Sequence, residues 1–455
     1  MVHEPFSRRH FFYGALLAGA VPAGGFGSVS SLKRLGYKSP NEKLNVAAIG
    51  AGGKGRSDIM GCLPENIIAF ADPDDKRAEK TFKEFPNVPK YKDFRRMFDK
   101  HEKEIDAVTV SCPDHMHGTA SMWAMARGKH VYCQKPLVRT VWEAQELAKA
   151  AAKYKVATQM GNQGYSNEGA RQCCEMIWDG AIGQVAEVHA WTNRPLVYWP
   201  QGPDVVPTEA PIPSTLDWEA WLGGSTPRPF SPAYVPHNWR GFPDFGCGAV
   251  GDMACHILGT PNMALWLADP VSVECVSIEG ESKYTFPRKT LIRYDFPARG
   301  TMPAVKVFWH DDMKGQPDIQ GVPAGELLGD KGDSANGSLF IGDKGMITTG
   351  CYGSDTRLIP VAKMKDYKMP AQLLTRSPGH YRDWIRACKG GEPSCSNFSV
   401  AGPFVEWMLL GVIAMRVAPG KGKLDWDAKK KRFTNNEAAN ALLKPNFRKG
   451  WKFLG

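Results

Sequence analysis

A glycine-rich turn constrains this chain more than any other feature. Leu44-Asn45-Val46-Ala47-Ala48-Ile49 reads as a buried parallel strand, and Gly50-Ala51-Gly52-Gly53-Lys54-Gly55 follows at once as G-x-G-x-x-G. A second apolar run, Ile67-Ile68-Ala69-Phe70-Ala71, ends in Asp72. Glycines at this spacing let the backbone turn tightly and approach a pyrophosphate, whose charge rests at the N-terminus of the next helix. An acid about 20 residues downstream accepts hydrogen bonds from the adenosine ribose hydroxyls. The pattern predicts a bound dinucleotide, with Gly50, Ala51, Gly52, Gly53, Lys54, Gly55 and Asp72 around it. Asp72 repels a 2′-phosphate and so favours NAD over NADP, a preference that Arg77 can soften.

Strands expected at residues 105–110, 130–133 and 157–160 alternate with helices at 75–84, 119–127 and 141–154. That alternation predicts an α/β fold with a Rossmann-like, doubly wound parallel sheet over residues 41–163. The pattern then changes. After a helix at 168–179 and a strand at 184–192, residues 195–236 hold 10 of the chain's 34 prolines, too many for regular structure. Strand-like runs at 271–279, 290–295, 304–309, 338–341 and 346–349, with helices at 379–388 and 401–415, predict an α+β second domain. It is built on an open, mostly antiparallel sheet over residues 164–455.

At 455 residues the chain has length for two domains or three. Its net charge of +10 gathers near the two ends, as in Lys429-Lys430-Lys431-Arg432, rather than interleaving with aromatics along one surface. Nucleic acid is therefore not an expected partner. Ser7-Arg8-Arg9-His10-Phe11-Phe12 resembles a twin-arginine export signal, and residues 12–26 are too short and small-sided for a transmembrane helix. Residues 1–40 are thus expected to be a signal peptide and linker, the mature chain not to insert in a membrane, and the location to be the periplasm or another exported site. The 11 cysteines include no C-x-x-C, so neither a metal site nor a disulfide framework is expected.

Four segments carry candidate chemistry. Pro113 and His117 follow a strand end, where open parallel sheets bind ligands. Gln134-Lys135-Pro136 ends the next strand, and Lys135 there can point its ammonium at a substrate oxygen. Asp252 and His256, four apart after a glycine-rich stretch, are expected on one helix face. His256 has the intrinsic basicity to take a hydroxyl proton, and Asp252 to orient it; with no third ligand nearby they do not make a metal site. Asn162 and Gln163 follow the last parallel strand. Tyr198, Trp199, Trp239 and Arg240 offer ring faces and hydrogen bonds suited to a sugar. His237 and His380 have no diagnostic setting.

The glycine turn, Pro113 with His117, Gly128-Lys129-His130-Val131, Lys135-Pro136 and Asp252 with His256 together resemble the Gfo/Idh/MocA oxidoreductase family, over nearly the whole chain past the signal. The resemblance implies a Rossmann domain joined to an α/β domain, and hydride transfer between NAD(P) and a sugar or cyclitol carbinol. It implies Lys135 as the catalytic lysine, with Asp252 and His256 beside the reacting carbon, Pro113, His117, Gln134, Lys135 and Asn162 near the cofactor, and Gln163 near the sugar. It also implies homo-oligomerisation through the open sheet face. The family's Glu-Lys-Pro reads Gln134-Lys135-Pro136 here, which removes a carboxylate and keeps the lysine. An exported enzyme without a free nicotinamide pool would hold its cofactor tightly. Two further readings stay open: redox-neutral hydrolysis of a glycoside through a keto-sugar, and noncatalytic dinucleotide binding.

Overall fold

The structure, a computed structural model, describes residues 42–453 except 196, 313, 324, 329–334, 418 and 452. The export signal expected in residues 1–40 lies outside the described residues.

The first domain alternates strand and helix: β1 (Asn45–Ile49), α1 (Lys54–Gly61), β2 (Asn66–Ala71), α2 (Asp75–Glu84), β3 (Lys90–Tyr91), α3 (Phe94–His101), β4 (Ala107–Val110), α4 (Asp114–Met125), β5 (His130–Cys133), α5 (Val141–Tyr154) and β6 (Thr158–Met160). The six strands form one parallel sheet in the order β3-β2-β1-β4-β5-β6. Order reverses between β1 and β4, which opens a crevice at their carboxyl ends. The helices are locally specified. Thr140 and Glu143 close a capping box at the start of α5, whose Val141, Ala144, Leu147 and Ala150 form the buried stripe.

The second domain follows with α6 (Glu168–Trp178), β7 (Val185–Thr192) and α7 (Trp218–Leu222). A wide π-helical turn at Val250–Ala254 then runs into α8 (Cys255–Ile257) and α9 (Gly259–Leu265). The remainder is β8 (Ser272–Glu279), β9 (Lys289–Phe296), β10 (Val305–Asp311), β11 (Gly337–Gly342), β12 (Met346–Gly350), β13 (Arg357–Ile359), α10 (His380–Cys388), α11 (Phe398–Val417), β14 (Leu424–Asp427), β15 (Arg432–Phe433) and α12 (Glu437–Asn440). Its nine strands run β13-β12-β11-β7-β10-β9-β8-β14-β15, antiparallel apart from the β7–β10 pair. β9 shows the expected alternation: Thr290, Ile292, Tyr294 and Phe296 are buried, and Lys289, Leu291, Arg293 and Asp295 face outward. Helix α11 is apolar and long enough to cross a bilayer, yet it is mostly buried, packed against α5 on one side and β8 and β9 on the other. It cements the two domains.

Three features depart from the sequence reading. Helix α3 and the short strands β3 and β13–β15 were not expected, since two- to four-residue strands leave no periodic signal. The proline-rich region is not merely irregular. It contains α7, and its Trp218, Trp221, Phe230 and Tyr234 pack with Trp239, Phe242 and Phe245, just after it, in a separate aromatic core. Lastly, Asp252 sits on the π-helical turn, not within a regular helix.

The proline-rich region also folds back over the first domain. Asp217 N–H donates to Pro73 O (2.8 Å), and Asp75 N–H donates to Thr215 O (3.1 Å), giving an antiparallel bridge between Asp74 and Leu216. Lys92 Nζ adds a bond to Thr215 O at 2.7 Å. These contacts sit directly after Asp72.

Candidate active site

The glycine turn is shaped by contact as well as by sequence. Gly50 has φ +87°, and a Cβ there would lie 2.6 Å from the Ser111 backbone; a Cβ on Gly55 would strike the Gly50 carbonyl. Ala51 and Gly52 donate their N–H groups to Asp72 Oδ2 at 2.8 and 3.1 Å, and Asp74 N–H donates to Oδ1. Asp72 therefore braces the turn it was expected to complement. Burial pushes its carboxyl up, against the pull of those amides. Arg77 lies over the turn, against the positions a Cβ would take at Gly52 and Gly53. The first turn of α1 has no side-chain cap and no acidic residue. No charge in that turn therefore opposes an anion at the helix N-terminus.

Across the crevice, Lys135 Nζ donates to Asp252 Oδ1 at 2.7 Å and to the Asp252 carbonyl at 2.6 Å. Arg240 Nε donates to the same Oδ1 at 3.0 Å. Burial raises the Asp252 carboxyl, but Lys135 and Arg240 outweigh it and hold the group well below the usual carboxylate range. His256 packs on Tyr352 with ring centroids 4.5 Å apart, and its Nδ1 is buried without a hydrogen-bond partner. Burial, reinforced by the Lys135 charge, pushes this imidazole far below its ordinary value, so it is neutral. The structure thus gathers Lys135, Asp252, His256 and Arg240 at the join of the two domains.

Other expected residues take supporting positions. His117 is buried, with Nδ1 2.7 Å from Pro136 O and Nε2 2.8 Å from Cys112 O. Burial lowers it to about 4, so a neutral ring donates to one carbonyl at a time and ties the β4 end to the lysine segment. Pro113 is the residue before α4, in extended conformation. Asn162 accepts from Ser396 Oγ at 2.6 Å, while its buried Nδ2 has no partner. Gln163 Nε2 reaches Tyr132 OH at 3.4 Å. Trp199 is buried with its indole N–H on Gln201, and Trp239 is buried beneath the Arg240 guanidinium, 4.2 Å from its ring. These two rings are loop anchors rather than open sugar platforms. Tyr198 is half-buried, with the Arg194 guanidinium 3.5 Å above its ring. Gln134 turns its amide toward Asp58 on α1.

Sequence reasoning missed Asp114, the first residue of α4. Burial raises its carboxyl to about 7 against the lowering effects of Arg240 and Lys135, so it titrates beside the Lys135–Asp252 pair. Its place directly after Pro113 at a strand end was the available signal. His237, left undecided, is lowered to about 4 by burial and by the charges of Arg240 and Arg77. His380 spans Met160 O (2.9 Å) and Ser166 Oγ (2.7 Å), a strut between β6 and α10.

The uncapped turn and the orphaned Asn162 Nδ2 fit a dinucleotide along the crevice. Residues 44–162 match the sequence model of the Gfo/Idh/MocA oxidoreductase family's NAD-binding Rossmann fold, and residues 185–289 match that of its C-terminal alpha/beta domain. The chain belongs to this family. As a Gfo/Idh/MocA oxidoreductase it has an NAD-binding Rossmann domain. It is 24% identical over 244 residues to levoglucosan dehydrogenase of Pseudarthrobacter phenanthrenivorans, covering 51% of this chain and 53% of that one. It is 28% identical over 184 residues to inositol 2-dehydrogenase of Serratia proteamaculans, covering 39% and 54%. The chain thus spans about half the length of these curated relatives. An inositol dehydrogenase homologue from Azotobacter vinelandii, solved with NADH and myo-inositol, shares the fold with a TM-score of 0.54 at 17% identity, covering 86% of this chain and 100% of that one.

Proposed function

We propose that this protein is an exported oxidoreductase that transfers hydride between a ring carbinol of a sugar or glycoside and a tightly held NAD. The observation that carries this reading is the buried Lys135–Asp252 ion pair beside a neutral His256 whose Nδ1 has no hydrogen-bond partner. NAD, when bound, supplies the hydride acceptor. His256 Nδ1 takes the carbinol proton. The Lys135 ammonium, aligned by Asp252, stabilises negative charge developing on that oxygen, a preorganised electrostatic role. Arg240 shares the Asp252 carboxylate and so holds it in place for Lys135. The sugar dehydrogenases among the relatives support the substrate class. Self-association through the outward face of β9 and its neighbours belongs to the same reading, as does export through Arg8 and Arg9.

The test is an absorbance spectrum of the purified protein before and after a panel of glycosides. A reduced-nicotinamide band appearing together with a keto-sugar supports the proposal. Aglycone released with no net change in that band would replace it with redox-neutral hydrolysis. Export is tested by converting Arg8 and Arg9 to lysine, which should retain the protein in the cytoplasm.

A further inference from the structure

Asp58 lies one turn into α1, fully buried, and is not among the groups assigned above to cofactor or substrate. Four donors from four separate segments converge on it. Lys54 Nζ of the glycine turn and Tyr381 OH of α10 reach Oδ1 at 2.6 and 2.7 Å. Ser111 Oγ, past the end of β4, reaches Oδ2 at 2.7 Å. Gln134 Nε2, past the end of β5, lies 3.0 and 2.9 Å from the two oxygens. Lys54 Nζ also donates to Tyr381 OH at 2.8 Å, closing the ring of contacts. Gln134 is held firmly: a Cβ on Gly161 would come within 2.7 Å of its amide carbon, and its Oε1 accepts from Lys135 N–H at 3.3 Å.

We infer that Asp58 is a positioning residue, a single buried carboxylate that fixes the cofactor turn, the catalytic-lysine segment and the second domain in one register. Lys54 is the cation of this group. Tyr132, Tyr381, Cys62 and Cys133 also face Asp58, and burial pushes all four up, so they are neutral near pH 7. Asp58 and Lys54 therefore balance. Residue 134 has to donate, because a carboxylate there would stand about 3 Å from Asp58 and leave the pair with one proton between them. Glutamine meets that demand.

The inference rests on NAD as the cofactor and not on the identity of the substrate. NADH binding, followed by fluorescence titration of the purified chain, therefore separates its failure from failure of the proposed reaction. Gln134→Glu should weaken NADH binding about tenfold or more at about pH 8, and recover toward wild type by about pH 5 as the two acids share a proton. Asp58→Asn/Gln134→Glu exchanges donor and acceptor and should return to within about threefold of wild type, with a flat pH profile. Wild-type affinity in Gln134→Glu at about pH 8, or a double variant no better than the single one, would overturn the inference. Tyr381→Phe removes one donor and no volume, and covers the case in which Gln134→Glu does not fold. It should weaken binding about threefold, and an unchanged affinity would likewise count against Asp58 as the hub.

Discussion

At the scale of single residues, the site is governed by which cation faces which anion. Asp252 carries both Lys135 and Arg240 on one oxygen, with the Lys135 and Asp252 side chains 14% and 12% exposed. Asp252→Asn leaves two cations facing each other. It should lower stability by about 2–4 kcal/mol in denaturant unfolding, and should abolish carbinol oxidation while NADH still binds. Asp114 gives a pH signature. Its folded value of about 7 lies above the 3.8 of an ordinary aspartate, so the folded state keeps a proton that the unfolded chain has lost. The stability this confers is full below about pH 4 and is lost as pH rises through 7. Asp114→Asn should therefore be more stable than wild type at about pH 8, by up to about 4 kcal/mol, and the difference should vanish below about pH 4. His256 behaves oppositely. It is depressed and stays neutral as pH falls through the ordinary histidine range, so turnover should show no break near pH 6.5 assignable to it.

At the scale of elements, the parallel strands and longer helices were legible because each carries a period. β9 alternates, α5 repeats every three or four residues, and the glycine turn sits between a strand and a helix as its chemistry demands. Lys135, Asp252 and His256 were legible through the family motif rather than through any period. Asp58 and Tyr381 were not, because their contact joins residues 323 apart and neither has a pattern around it. Arg240 was read as a substrate group from its residue type, and only the fold reveals its bond to Asp252. The π-helical turn likewise carries no periodic signal: a Cβ on Gly251 would strike Cys247 four residues earlier, so the chain passes close to itself there. Helix α11 offers a test of packing at this scale. Tyr294 OH of β9 donates to the Met408 carbonyl at 2.9 Å in a fully buried setting. Tyr294→Phe should cost about 1–2 kcal/mol, read as a lower thermal midpoint.

For the whole molecule, the two domains share one core rather than meeting at a thin interface. Helix α11 packs on both, and the first domain's strand ends are bound to residues of the second. Calorimetry should accordingly show one unfolding transition, with calorimetric and van't Hoff enthalpies in agreement. The fold-back at Pro73–Asp75 reaches further than stability. Residues 215–217 are stitched by backbone bonds to the segment directly after Asp72, so the adenosine end of the crevice is bordered by both domains at once. Because those bonds run from main chain to main chain, the border is set by backbone, and no single side-chain substitution removes it.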